Sequence, residues 1–507
     1  MNNVAGKHLE SIARGGSASL AGAGVAALSN FLLVVVITNG FSREVAGGLF
    51  SATSIFLMVL AVASLGMDAG LGRFILKHVV ENRWEGVRET LRNTGVVSAS
   101  ISFAAGLVLF VLADRVAALA GLPADSGPPM LRVLAAGMPL AAVGNWALSA
   151  SRAFSSIRQT VVLDKLFRSL LQLLLVSVAA RIAVAPGVLA AAWVVPAVLM
   201  APLAVLSLRR LYRARAPRGD AAVSAPGAVR EFWRFTGPRS IAQIAQMIVQ
   251  RADIVIICAL ISPVAAAVYT AATRFVPLGQ LGATAVQQVV QPRFTHLLAT
   301  REHAALGAVF RTTTAWNVTL AWPVYLAVGS VPGLYLQMFG AGFADDGATV
   351  VVVMMLGMLV GVASGPVDTL LLMSGRTWVS LSNALVALVI DLAGCFLLIP
   401  RIGIAGAAIA WCVAIVAKSL LGMYQVHRYE GISPLSWPAT LVGIAAVLCF
   451  GVPGAALTGS GLATLPNYLV ALLAGGFCYI AFLAWQRERL HLVALRSMLP
   501  ARLRRDS

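Results

Sequence analysis

The sequence predicts an all-α polytopic membrane protein of about fourteen transmembrane helices. Three observations carry this: composition, the spacing of apolar stretches and the placement of basic residues. Of 507 residues 59% are hydrophobic and only 11% are charged, and the mean hydropathy is +0.86. A water-soluble domain needs a wettable surface that such a chain cannot supply. A hydrocarbon core of about 30 Å calls for roughly 20 apolar residues per helix. Stretches of that length recur near 17–40, 47–70, 93–115, 131–151, 166–184, 187–208, 238–260, 265–292, 312–336, 348–372, 378–400, 403–424, 438–457 and 465–485.

Basic residues test that count. Of the 38 Lys and Arg, five (Arg43, Arg115, Arg132, Arg181, Arg401) fall on one side, and two (Arg251, Arg274) fall inside spans. The other 31 lie on the opposite side or at helix ends facing it. The positive-inside rule makes that side cytoplasmic, with both termini on it. The net charge of +18 therefore reads as topology and contact with anionic lipids, not as a nucleic-acid surface. The first span is preceded by basic residues, as in a signal peptide, but it is too long for one and more spans follow, which predicts an uncleaved helix. The five cysteines all fall in predicted spans without CxxC spacing, so neither a disulfide framework nor a metal site is indicated. No HExxH and no GxxxxGK[ST] occurs, so no metal, catalytic or ATP-binding motif is expected. The short outer loops leave no room for an external enzymatic domain.

The chain also repeats itself at an offset of about 219 to 220 residues. VAGGLFSATSIF (45–56) aligns with VAAAVYTAATRF (264–275), ADSG before Gly137 with ADDG before Gly357, and RIAVA (181–185) with RIGIA (401–405). Six spans per unit is an even number, so the copies enter the membrane in the same direction as parallel repeats. The expected organisation is an N-lobe at 1–208, a basic linker at 209–237 and a C-lobe at 238–425. Two added spans follow at 426–485, and a basic tail at 486–507. Two pseudo-symmetric lobes predict a carrier with a polar site near the midplane, exposed alternately to each side.

Several polar residues recur at helical spacing within the spans. Gln243, Gln246, Gln250 and Asp253 share one face of span 7, and Thr273, Pro277, Gln280, Thr284, Gln287 and Gln291 share one face of span 8. Asn145, Ser149 and Arg152 share a face of span 4, and span 11 contributes Ser380, Asn383 and Asp391. Such stripes line a wet cavity or, alternatively, glue helices together. Arg251 and Arg274 fall at similar predicted depth and offer two guanidinium groups to an anion such as a pyrophosphate. The bland alternative is a structural pair between Asp253 and Arg274. Arg73 and Arg152, at inner ends of spans 2 and 4, are candidates for first capture of a headgroup, or simply snorkel. Asp391 and Asp368, with Asp253, are candidates for binding a proton or Na⁺.

Four stretches resemble the Wzx-type polysaccharide and lipid-linked oligosaccharide flippases of the MOP superfamily, which also holds MurJ and the MATE exporters. They are LGMDAGLGRFI (65–75), RADIVIICALISPVAAAVYTAATRF (251–275), LYLQMFGAGFADDGA (334–348) and LLIPRIGIAGAAIA (397–410). Asp391 stands where such flippases commonly have Asn, and Ile402 where an aromatic is frequent. The resemblance implies a non-enzymatic, ion-coupled flippase of the bacterial plasma membrane, without cofactor. It would carry a polyprenyl-pyrophosphate-linked glycan outward and work beside glycosyltransferases and a polymerase. The last two spans would hold the lipid tail. A MATE-like exporter, a lipid II flippase and a non-transporting scaffold are the alternatives.

Overall fold

The computed structural model describes residues 2–154, 157–182, 184–216, 228–432 and 437–487. The middle of the linker (217–227) and the tail beyond Arg487, both expected to be basic cytoplasmic segments, lie outside the described residues. Every regular element among the described residues is a helix. Among the described residues eleven helices are long and apolar enough to cross a membrane. The three further spans, near 166–184, 265–292 and 312–336, coincide with helices that are interrupted or carry more polar residues.

The chain divides into two compact units, one of Ala21–Ala267 and the other from Val268 onward together with the start of the first helix. The first unit contains most of α1 (Asn2–Gly40), then α2 (Arg43–Ser64), α3 (Met67–Val80), α4 (Trp84–Val111), α5 (Ala113–Leu119) and α6 (Gly127–Ala153). A one-turn α7 (Ile157–Gln159) leads into a π-helical segment, Thr160–Arg168, continued by α8 (Ser169–Arg181), α9 (Pro186–Arg215) and α10 (Ala228–Leu260). Helix α6 packs on α9 and α4, while α10 lies along α2 and α3 and also touches α4. Because α10 adheres to these N-terminal helices, the contact boundary falls inside α11 (Pro263–Thr273).

Local sequence explains the helix ends. The Ser42 hydroxyl accepts from Val45 N–H at 3.3 Å and caps α2. Prolines stand in the first turn of α6 and α9, where a missing N–H costs nothing. Span 2 was expected to run to residue 70, but α2 ends at Ser64. Leu65 (φ 43°) and Gly66 (φ 53°) both adopt left-handed geometry before α3 restarts. Two consecutive left-handed residues cannot continue a right-handed helix. Arg73 therefore sits on a separate helix. The first unit's core gathers Met67, Leu71, Phe74, Leu148, Phe154, Met200 and Phe232. Phe74 meets Phe232 edge to face at 5.7 Å.

The second unit holds most of α11, then α12 (Val276–Ala299), α13 (His303–Gly329), α14 (Pro332–Gln337), α15 (Phe343–Ala363) and α16 (Val367–Met373). It continues with α17 (Thr377–Ile402), α18 (Ile404–Glu430) and α19 (Trp437–Ala446), then a short π segment, Val447–Gly451, α20 (Val452–Gly459) and α21 (Leu465–Trp485). Helices α17 and α18 pack on each other, α15 packs on α18, and α13 contacts α12, α15 and α19. The predicted span at 265–292 is broken at Arg274 and Phe275. Pro277 has no N–H for the carbonyl of residue 273, so helix α11 stops and α12 restarts.

The last spans are stitched to α13 by side chains bonding to backbone. Tyr479 Oη donates to Thr319 O at 3.2 Å, Thr458 Oγ1 to Ser330 O at 2.9 Å, and Tyr468 Oη to Ala327 O. The outer face of α21 is apolar and exposed, with Val470, Leu473, Phe477 and Ile480, as expected for a helix in lipid. The three repeat motifs occupy matching places in the element order. The 45–56 and 264–275 stretches open α2 and α11, the Ala-Asp motifs open α6 and α15, and the Arg-Ile motifs join α8 to α9 and α17 to α18.

Candidate functional site

Within the first unit, α2, α3, α4, α6, the π segment and α10 enclose a cavity of about 430 Å³. Its polar lining is contributed from several directions. Gln243, Gln246 and Gln250 come from α10, Asn145, Ser149 and Arg152 from α6, Asp68 from α3 and Asp164 from the π segment. Leu57, Leu60, Met67, Leu71 and Met247 are among the apolar residues of the lining. Gln243, Gln246 and Gln250 of the span 7 stripe and Asn145, Ser149 and Arg152 of span 4 thus line one cavity.

The geometry of the charges is specific. Arg152 Nη2 lies 3.2 Å from Asp68 Oδ1. Ser149 Oγ bridges the pair, donating to Asp68 Oδ1 and accepting from Arg152 Nη2 at 2.7 Å. The other guanidinium nitrogen, Nη1, reaches Thr160 Oγ1 at 3.5 Å, at the start of the π segment. Asp164 is held by Arg168 Nε at 2.7 Å, one turn along. The side chains of Arg152 and Asp68 remain 40% and 57% exposed, so both face open space while paired. Asp68 lies in the 65–75 motif but is assigned no role there by the sequence, and Asp164 has no mark in the sequence. Asp68 sits beyond a break that the hydropathy profile passes over, and Asp164 lies on a π turn, geometry often associated with functional sites.

The remaining predicted residues are distributed elsewhere. Arg73 lies over the Phe235 ring, 4.4 Å from its centroid, a cation–π contact that anchors α3 to α10. Arg251, in the first unit, is half-buried, and its Nε has no hydrogen-bond partner among the described residues. Asp253 is buried, and its Oδ1 accepts from Ile254 N–H at 2.8 Å. Arg274, in the second unit, donates from Nε to Thr270 O at 3.2 Å. Beside it the Tyr335 hydroxyl donates to Ala271 O at 2.9 Å. Gln280 and Thr284 lie on the exposed face of α12, away from buried Val286, Val290 and Phe294, and Gln287 is half-buried.

In the second unit Asp368 forms an ion pair with Lys418 at 2.6 Å, a partner the sequence reading did not assign. Asp391 is completely buried in α17. Asn383 and Gln425 exchange reciprocal amide hydrogen bonds of 2.6 and 2.9 Å across the α17–α18 contact. Span 11's polar face is therefore used, at Asn383, as interhelical glue. Among the described residues no cluster of three or more His, Cys, Asp or Glu could hold a metal.

The family model described as "Polysaccharide biosynthesis protein" matches residues 49–339, more than half of the chain. The chain belongs to this family. The Wzx-type resemblance carried by the four motif stretches is thereby borne out. No curated protein matches the chain. Among solved structures the polysaccharide biosynthesis family member is similar to the lipid II flippase MurJ in an inward closed conformation. The TM-score is 0.71 at 12% identity, covering 92% of this chain and 98% of the other. It is also similar to an inward-facing multidrug resistance MATE family transporter of the MOP superfamily (TM-score 0.66, 15% identity, 80% and 94% covered). A MOP superfamily transporter from Pyrococcus furiosus, described as having a binding pocket of reverse polarity, gives a TM-score of 0.57 at 15% identity, with 83% and 96% covered. At these identities the likeness is one of fold: the family member has the all-helical fold of MOP transporters.

Proposed function

We propose that this polysaccharide biosynthesis protein is a flippase that moves a polyprenyl-pyrophosphate-linked oligosaccharide from the inner to the outer leaflet of a bacterial plasma membrane. The observation that carries the reading is a cavity between membrane helices that presents the Arg152 guanidinium among amides from two helices. A glycan needs many donors and acceptors, which Asn145, Gln243, Gln246 and Gln250 supply. A pyrophosphate needs a fixed cation able to grip two oxygens, which a guanidinium does. Arg251 in the first unit and Arg274 in the second are each a further cation that an anionic headgroup could meet, and Arg73 supports the helix that carries Asp68. The lobes follow the repeat, 1–208 and 238–425, with both termini cytoplasmic.

The driving force is partly electrical. Carrying two negative charges out of a negative cytoplasm gains about 4.6 kcal/mol at 100 mV. Asp253, Asp368 and Asp391 are the acids available for H⁺ or Na⁺ coupling, and glycosyltransferases and a polymerase are the partners on either side of the step. Deleting the gene should make a lipid-linked glycan accumulate on the inner leaflet, and Arg152→Ala should restore surface polysaccharide at least about tenfold less well than the natural chain. Normal surface glycan from a normally expressed Arg152→Ala variant would refute the assignment.

One observation favours a second reading, a MATE-like exporter of cations: the cavity is lined by two carboxylates, Asp68 and Asp164, against one guanidinium. Each carboxylate is already matched by an arginine, which leaves no net negative charge to hold a cation. Uptake of a lipophilic cation by inverted vesicles, dependent on Asp68 and indifferent to glycan synthesis, would decide for that reading.

A further inference from the structure

We propose that Asp68 is a built-in competitor for the substrate's anionic group: it occupies Arg152 while the cavity is empty and must give the guanidinium up when a diphosphate binds. This rests on the reading of the cavity as a site for an anionic lipid headgroup. The geometry is that of a reversible latch. Only one oxygen of Asp68 engages Arg152, at 3.2 Å and through one guanidinium nitrogen, so the pair is not the parallel two-bond arrangement that makes such pairs strong. Both side chains face the cavity and stay partly exposed, so exchanging one anion for another requires no unpacking.

The alternatives to a latch are weaker on the same evidence. A merely structural ion pair would sit in the packed core, but Asp68 lines the cavity rather than the cluster around Phe74 and Phe154. Ser149 gives the latch its selectivity. Its oxygen accepts from Arg152, and its single hydrogen has two acceptors in reach, Asp68 Oδ1 and Asn145 O at 2.9 Å. It therefore remains in place, with a hydrogen to redirect, when a phosphate oxygen replaces the carboxylate. A diphosphate can take both guanidinium nitrogens at once, where Asp68 takes one, so it displaces the carboxylate on geometry as well as on charge. A neutral or singly coordinating ligand would not.

The test uses the full-length protein in nanodiscs with farnesyl diphosphate as probe and farnesol as the uncharged control. Asp68→Asn should tighten farnesyl diphosphate binding about fivefold, equivalent to about 1 kcal/mol at 1.4 kcal/mol per decade, and leave farnesol unchanged. Arg152→Ala should weaken diphosphate binding at least about tenfold. Asp68→Ala, which removes the same carboxylate, should also tighten it and reads the same point if the Asn variant fails to fold. A structural role for Asp68 could not produce tightening. If Arg152→Ala loses the probe while Asp68→Asn binds it equally or less well, the competitor role is overturned and the anionic-site reading stands. If neither substitution changes binding, both fall.

Discussion

The tightest backbone approach in the first unit invites a direct perturbation. A Cβ added at Gly47 in α2 would stand 1.7 Å from Pro263 O and 2.5 Å from Pro263 C, at the start of α11. Real Cβ contacts essentially never fall under 3.0 Å. Gly47→Ala therefore forces the two backbones more than an ångström apart. The obstacle is a carbonyl, not the end of a flexible side chain, so local repacking cannot absorb it. Overpacking costs about 1–3 kcal/mol, and a backbone clash belongs at the upper end. At 1.4 kcal/mol per decade, that shifts the equilibrium between the closed and opened contact of α2 with the α10–α11 turn by roughly a hundredfold.

The chain contains its own reporter for that opening. Cys258, buried near the end of α10, lies with its Sγ 3.5 Å from Gly121 O. With the other four cysteines replaced by Ala, maleimide labelling of Cys258 should be slow in the Gly47 background. It should be one to two orders of magnitude faster after Gly47→Ala. Unchanged labelling in a folded Gly47→Ala protein would refute the claim that this contact holds the α10–α11 turn against α2.

Two further outcomes follow from the packing. His78, on α3 beyond the second span, is 2% exposed, and neither ring nitrogen has a hydrogen-bond partner among the described residues. Burial, above all, pushes its pKa below the usual 6.5. Its neutral form is favoured in the fold, so stability is full above about pH 6.5 and falls as the pH drops through and below that value, where only the unfolded chain takes up the proton. Thermal unfolding in detergent should show that loss, and His78→Leu should flatten it. Tyr479→Phe and Tyr468→Phe remove hydroxyls that tie α21 to α13. Each should cost about 1 kcal/mol, read as earlier proteolysis at the α20–α21 connection.

How much of this was legible in the sequence differs from element to element. The glutamines of α10 declared themselves because spacing alone puts Gln243, Gln246 and Gln250 on one face, and a helix cannot hide that. The last two spans were likewise visible from apolar length. What spacing cannot give is contact between distant segments. Asp68 meets Arg152 across 84 positions of chain, and the hydropathy of span 2 runs through the left-handed turn at Leu65–Gly66 without a mark. The break at Arg274 did leave a signal, Pro277, whose missing N–H ends the preceding helix. Lys418 was hidden for another reason. It reads as one more inner-side cation until packing sets it against Asp368, and an ion pair between two spans leaves no periodicity in either.

The paired charges at the first unit's cavity have an electrical consequence. Arg152 with Asp68 and Arg168 with Asp164 sum to zero. An empty cavity so balanced carries no gating charge of its own, and a transmembrane voltage exerts no net pull on these four groups. Work done by the field is proportional to the charge that moves. If the cavity carries an anionic headgroup outward, as proposed above, the voltage acts on that headgroup, speeding the loaded step and leaving the empty cavity's return unopposed.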